Sequence, residues 1–133
     1  MTDSSRERFE NKVTAMDEME IKTAVERHLH RSQLLSTDLE QKGVDLNEPR
    51  PIDFHFWAWT QRDAAVLARS LYGMGFLVRL LSPSATEDDP DRWAIEAGAK
   101  IAPFRASEFD LTEKLVRLAA EEDAVFDGWG TSV

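Results

Sequence analysis

Apolar residues recur along this chain with two periods, and the switches between them mark the elements. From about Asp17, the residues Ile21, Val25, His28, Ser32, Leu35 and Leu39 fall on one stripe at helical spacing. The stripe weakens at HLHRS, which leaves either one imperfect helix or two shorter ones. Gly43 after Lys42 is a natural stop. NEPRP then forces extended backbone, because each proline biases its predecessor away from helix. IDFHFWAW, residues 52–59, alternates cleanly. Ile52, Phe54, Phe56 and Ala58 share one face, and Asp53, His55, Trp57 and Trp59 share the other.

Thr60, with Asp63 three residues on, has the pattern of a helix N-cap. Ala64, Leu67, Ala68, Leu71 and Tyr72 line one side of the predicted helix, which ends in GMG. FLVRLL (76–81) reads as a second strand, with Phe76, Val78 and Leu80 opposed to Leu77, Arg79 and Leu81. The loop PSATEDDPD leads to a third, RWAIEAGAKIA, whose Trp93, Ile95, Ala97, Ala99 and Ile101 alternate with Arg92, Glu96, Gly98 and Lys100. The shared period predicts that Trp93 and Ile95 pack inward with Phe54 and Phe56. A last helix buries Leu111, Leu115, Leu118 and Ala119, with Ser107 or Asp110 as its cap.

The order is helix, strand, helix, strand, strand, helix, tail. A strand–helix–strand piece needs a crossover, and the strand after it can pair as a hairpin. The expected fold is therefore an α+β ferredoxin-like two-layer sandwich, an antiparallel sheet with helices packed on one face. Residues 1–16 are polar and aperiodic and read as a flexible arm, leaving 17–133 as a single domain.

Charge sharpens this picture. The net charge of −9 is uneven: residues 83–133 hold 12 acidic against 5 basic groups, and residues 52–82 hold 2 against 3. An acidic surface repels phosphate backbones and favours basic partners. The absence of cysteine excludes disulfides, thiol catalysis and thiolate metal sites. No apolar run approaches the roughly 18–20 residues that span a bilayer. The opening MTDSSRERFENK also lacks the apolar core of a secretory signal, so the expected location is cytoplasmic and no membrane partner is expected.

The chain closes on Phe126-Asp127-Gly128-Trp129-Gly130-Thr131. With IDFHFWAW, the Ala- and Leu-rich helix ending in MGF, and the tryptophan-led strand, this motif resembles the RraB-like family, regulators of ribonuclease E activity. The resemblance spans roughly residues 17–133. It implies a small, non-enzymatic ferredoxin-like protein that binds ribonuclease E and inhibits it, altering RNA decay without binding RNA itself.

From the residues alone, Asp127-Gly128 reads as a turn that aims Trp129 back at the body, where its indole N–H finds an acceptor. The same tail could instead shape a groove for a partner. Asp53, His55, Trp57 and Trp59 lie in a row beside Arg79, Arg92, Glu96 and Lys100 if the helices cover the opposite face. Aromatics on an open sheet are how some RNA-binding domains stack bases, but this chain lacks the basic stripe that phosphate binding needs. His28 and His30 stand two apart and cannot share a metal on a helix. They read as surface or half-buried. Glu87, Asp88, Asp89 and Asp91 lack the spaced ligands of a calcium loop. No serine stands in a nucleophilic setting. No catalytic residue, metal site or cofactor is assigned.

Three readings follow. The first is a regulatory module that binds a protein partner, with Asp53, His55, Trp57, Trp59, Asp127, Gly128 and Trp129 as contacts. In it Glu87, Asp88, Asp89 and Asp91 steer a basic surface. The second is an enzyme or small-molecule binder that uses the Asp53/His55/Trp57 face. The third is an RNA binder. The sequence leaves the oligomeric state open.

Overall fold

The computed structural model describes residues 16–133, so the N-terminal arm expected over 1–16 lies almost wholly outside the described residues. Helix α1 runs unbroken over Glu18–Gln41, so the HLHRS stretch does not divide it. Asp17 caps it, its carboxylate accepting from the Glu20 N–H at 2.9 Å, and the helix ends just before Gly43. Strand β1 (Arg50–Ala58) follows, then α2 (Gln61–Gly73) and strands β2 (Leu77–Pro83) and β3 (Trp93–Ile101). A single helical turn, α3 (Pro103–Ala106), precedes α4 (Phe109–Glu121) and strand β4 (Ala124–Gly130).

The sheet order is β2-β3-β1-β4, and all three pairings are antiparallel. β1 and β2 therefore run the same way on either side of β3, while β3 and β4 do so on either side of β1. Two interleaved split β-α-β units of this kind make the ferredoxin-like sandwich. α2 packs against β1, β2 and β3. α4 packs against β4, and α1 packs against both α4 and β4. The leading helix therefore joins the helical layer, and among the described residues no helix covers the other sheet face.

The two-residue period of β1 fixes which face is buried. Ile52, Phe54 and Ala58 are fully buried and Phe56 nearly so. Register places Phe56 opposite Ile95 and Ala58 opposite Trp93, so Trp93 and Ile95 do point inward; Trp93 remains half-buried. Phe54 meets Phe76 edge-on at 5.2 Å, and Phe56 meets Phe126 at 5.1 Å. Each such side chain contributes about 1.5–3 kcal/mol through its removal from water. Thr60 and Asp63 cap α2 reciprocally: the Thr60 Oγ1 accepts from the Asp63 N–H at 3.2 Å and donates to its carboxylate at 2.9 Å.

Several expectations are corrected. Tyr72 is 72% exposed and lies off the buried stripe of α2. The register of β2 slips between Val78 and Leu80, which makes Arg79 the extra residue of a bulge. Val78 then pairs with Ala97 on the inner face and Leu80 with Glu96 on the outer, so the two do not share a side. Neither Ser107 nor Asp110 caps α4. Pro103 starts an extra turn that ends at Ser107, and Glu108 takes the cap position without a side-chain bond. His28 is buried at 6% exposure, because the tail strand folds over it.

The largest correction concerns the tail. Asp127-Gly128 is no chain-reversing turn; it is a β-bulge within edge strand β4. Phe56 pairs with Phe126, and His55 pairs with Gly128, leaving Asp127 as the extra residue. Residues three apart on a regular strand face opposite ways. The bulge inserts one residue and lets Phe126 and Trp129 both face the helices.

Candidate protein-binding face

The uncovered face of the sheet is assembled from alternate residues of neighbouring strands. Asp53, His55 and Trp57 of β1 stand opposite Gly98, Glu96 and Ala94 of β3. Leu77 and Leu80 of β2 complete the rows, 60% and 44% exposed. Arg79 reaches from the β2 bulge across Gly98 to place its guanidinium 3.4 Å from the Asp53 carboxylate. Gly98 permits this crossing, since a Cβ there would sit 2.8 Å from the Arg79 Nε. The pair is partly solvated, so its contribution is modest, up to about 1 kcal/mol. It fixes the position of both charges rather than holding the fold.

At the other end of β1, the Arg92 guanidinium lies 4.6 Å from the centre of the Trp57 ring. Trp57 meets Trp59 edge-to-face at 4.6 Å. A cation stacked on an aromatic face gains about 0.5–1 kcal/mol at a partly exposed site. The stack holds two indoles and a guanidinium as one preformed group. His55 is exposed between the two charged ends, beside Glu96 and Gly128. The Asp53 carboxylate is engaged by Arg79 rather than by His55, so no His–carboxylate pair forms.

Asp53, His55, Trp57 and Trp59 are thus brought together, as their alternation predicts. Of the motif residues, Gly128 borders that group as the cross-strand neighbour of His55, and Trp129 does not join it. The Trp129 side chain turns to the helical layer, half-buried, and its indole N–H donates to the Ser32 Oγ at 2.9 Å. Gly128 has a φ of 116°, a region that disfavours any side chain, and a Cβ there would lie 3.4 Å from an Arg31 nitrogen. That Arg31 guanidinium donates to the Asp127 carbonyl at 3.1 Å. The Thr131 hydroxyl donates to the Pro51 carbonyl at 2.7 Å and accepts from the Arg50 Nε at 3.2 Å. Arg50 also donates to the Ser132 carbonyl. The closing motif is a latch, held by α1 on one side and by the start of β1 on the other.

His28, Arg31 and Ser32 make this latch, and reasoning from the tail alone names none of them. Their spacing of three and four residues was the available signal, since it puts all three on one face of α1. His28 packs on the Phe126 ring at 4.7 Å, and burial lowers its pKa below the ordinary 6.5, reinforced by the nearby Arg31 charge.

The acidic loop follows β2 and runs up to Arg92. Glu87, Asp88 and Asp91 are exposed and Asp89 is half-buried. Thr86 shapes the loop, donating its N–H to the Asp89 carbonyl at 3.1 Å and accepting the Asp89 N–H on its hydroxyl at 3.0 Å. Four carboxylates therefore sit at the Trp57–Arg92 end of the face. Arg79, Asp53, Glu96 and Lys100 make the rest of the face mixed in sign, unlike the continuous positive stripe of a phosphate-binding surface. A cleft of ≈ 530 Å³ beside Phe76, Ile101 and Lys114 includes none of Asp53, His55 or Trp57. No cluster of three metal-ligating side chains occurs among the described residues, and no described helix is long and apolar enough to cross a membrane.

The fold is a ferredoxin-like sandwich, and the sheet face that no described helix covers carries an ordered aromatic–cation group. The chain belongs to the RraB family, described as regulator of ribonuclease activity B, whose model matches residues 28–131. The matched span opens on His28 and closes on Thr131, both members of the tail latch. Membership implies a regulator of ribonuclease activity that works by binding protein. A search of curated proteins returned no match.

Proposed function

We propose that this protein inhibits ribonuclease E by binding it through the open sheet face, and so slows RNA decay without catalysing any step. Asp53, His55, Trp57 and Trp59 are the contact group, and Glu87, Asp88, Asp89 and Asp91 guide a basic surface of the enzyme toward it. The observation that carries the reading is the Arg92–Trp57–Trp59 stack on a sheet face that no described helix covers. Aromatic side chains fixed in place before binding lose little entropy on docking, which is why they serve as anchors. No cofactor or metal takes part, RNA is not a direct ligand, and the protein acts in the cytoplasm.

Asp127, Gly128 and Trp129 act indirectly in this account. They hold β4 against β1 and so keep His55 and Trp57 in their places. The test is a titration of purified ribonuclease E with the full chain, followed by the same titration with Trp57→Ala. The account expects saturable binding that Trp57→Ala weakens by about tenfold or more. An absence of binding by the wild-type chain would overturn it.

A further inference from the structure

The groove between α1 and α4 lies on the helical layer, away from the open sheet face, and has its own character. Met19 in the first turn of α1 is 69% exposed, and Phe109 at the start of α4 is 52% exposed. Between them Ile21 and Val25 form a buried apolar floor, and the hollow measures ≈ 380 Å³. Two large apolar side chains standing in water beside such a floor suit an interaction site better than a core.

Charge then selects the occupant. Arg117 donates to the two Glu18 carboxylate oxygens at 2.8 Å each and lies 3.7 Å from Glu113, so this cation is already matched. Its hold on Glu18 lowers that carboxyl's pKa, through the hydrogen bond first and the charge second. Lys22 and Glu26 are the remaining charges of the lining, which therefore holds three carboxylates (Glu18, Glu26, Glu113) against two cations (Lys22, Arg117). Asp17, Glu20 and Asp110, neighbours in sequence of Met19 and Phe109, extend the negative field. The groove is walled by helices whose backbone groups are bonded internally, so an occupant must satisfy its own backbone, as a helix does.

We infer that the α1–α4 groove seats a basic amphipathic helix of a protein partner. The apolar stripe of that helix lies between Met19 and Phe109, and its lysines or arginines meet the acidic rim. A second copy of this chain is disfavoured, since it would bring a further net charge of −9 to an acidic rim. This inference stands apart from the sheet-face reading, and either can fail alone.

The probe is a synthetic helical peptide with leucines at positions i, i+3, i+4 and i+7 and lysines between them, set against a scrambled peptide of the same composition. Both are titrated into the full chain. The patterned peptide should bind about tenfold tighter or more, because charge alone cannot tell the two apart. Met19→Ala with Phe109→Ala should remove about tenfold of that affinity while leaving the melting temperature near wild type, both side chains being exposed. Trp57→Ala should leave peptide binding unchanged. Equal binding of the two peptides, or full affinity in the double variant, would overturn the inference. So would concentration-dependent dimers that the double variant abolishes, since they would assign the groove to a second copy.

Discussion

The indole N–H of Trp129 reaches the hydroxyl of Ser32 at 2.9 Å, across 97 residues of chain. This bond joins the last strand to the first helix and closes the domain. Removing either partner takes the match from the buried Ser32 hydroxyl or the half-buried Trp129 N–H, which costs more than the bond itself contributes. Trp129→Ala is expected to lower stability by about 2–4 kcal/mol, below the cost for a fully buried tryptophan. Ser32→Ala should cost about 1 kcal/mol. The double variant should fall short of the sum, because the shared bond is counted once. Chemical denaturation of the three variants checks this.

Gly128→Ala tests the bulge. The new Cβ would sit at a φ of 116° and crowd Arg31, straining the backbone and loosening the bond from Arg31 to the Asp127 carbonyl. The expected loss is about 1–3 kcal/mol. Arg31→Ala alone should cost less, and combining the two should again be less than additive. A Gly128→Ala protein as stable as wild type would show that β4 does not depend on the bulge.

Acid should open the latch through His28. Burial holds its pKa below the ordinary 6.5, so the unfolded chain binds the proton first as pH falls. This contribution to stability is present above pH 6.5 and is lost as pH drops through the folded-state pKa. His28→Leu should flatten the pH dependence of the melting temperature below that point, relative to wild type. An unchanged slope would place the acid sensitivity elsewhere.

The loop carboxylates should act on encounter. Neutralising Glu87, Asp88, Asp89 and Asp91 together is expected to slow association and reduce its salt dependence, with dissociation almost unchanged. Stopped-flow binding at two salt concentrations separates the two rates. A large rise in dissociation would instead make these side chains docked contacts.

The fold was legible because β1 alternates so cleanly: the positions of Ile52, Phe54, Phe56 and Ala58 dictate one buried face, and the grouping of Asp53, His55 and Trp57 follows directly. The two bulges were not legible. The residues around Arg79 are apolar on both faces, which hides the phase shift in β2, and the three-residue gap between Phe126 and Trp129 fits a turn as well as a bulge. Glycine next to aspartate is common to both structures, and only pairing with β1 separates them. His28 was misplaced for a related reason. Spacing puts it on the inner stripe of α1, but its full burial comes from a strand almost a hundred positions away.

The central claim is that the open sheet face restrains a ribonuclease. Its most direct test is the rate of RNA cleavage by purified ribonuclease E as the protein is added, for wild type, His55→Glu and Trp57→Ala, each checked first for an intact melt. Wild type is predicted to slow cleavage in proportion to complex formed, and both variants to need about tenfold more protein for the same effect. Cleavage that wild type leaves untouched, or that both variants slow at full strength, would contradict the account.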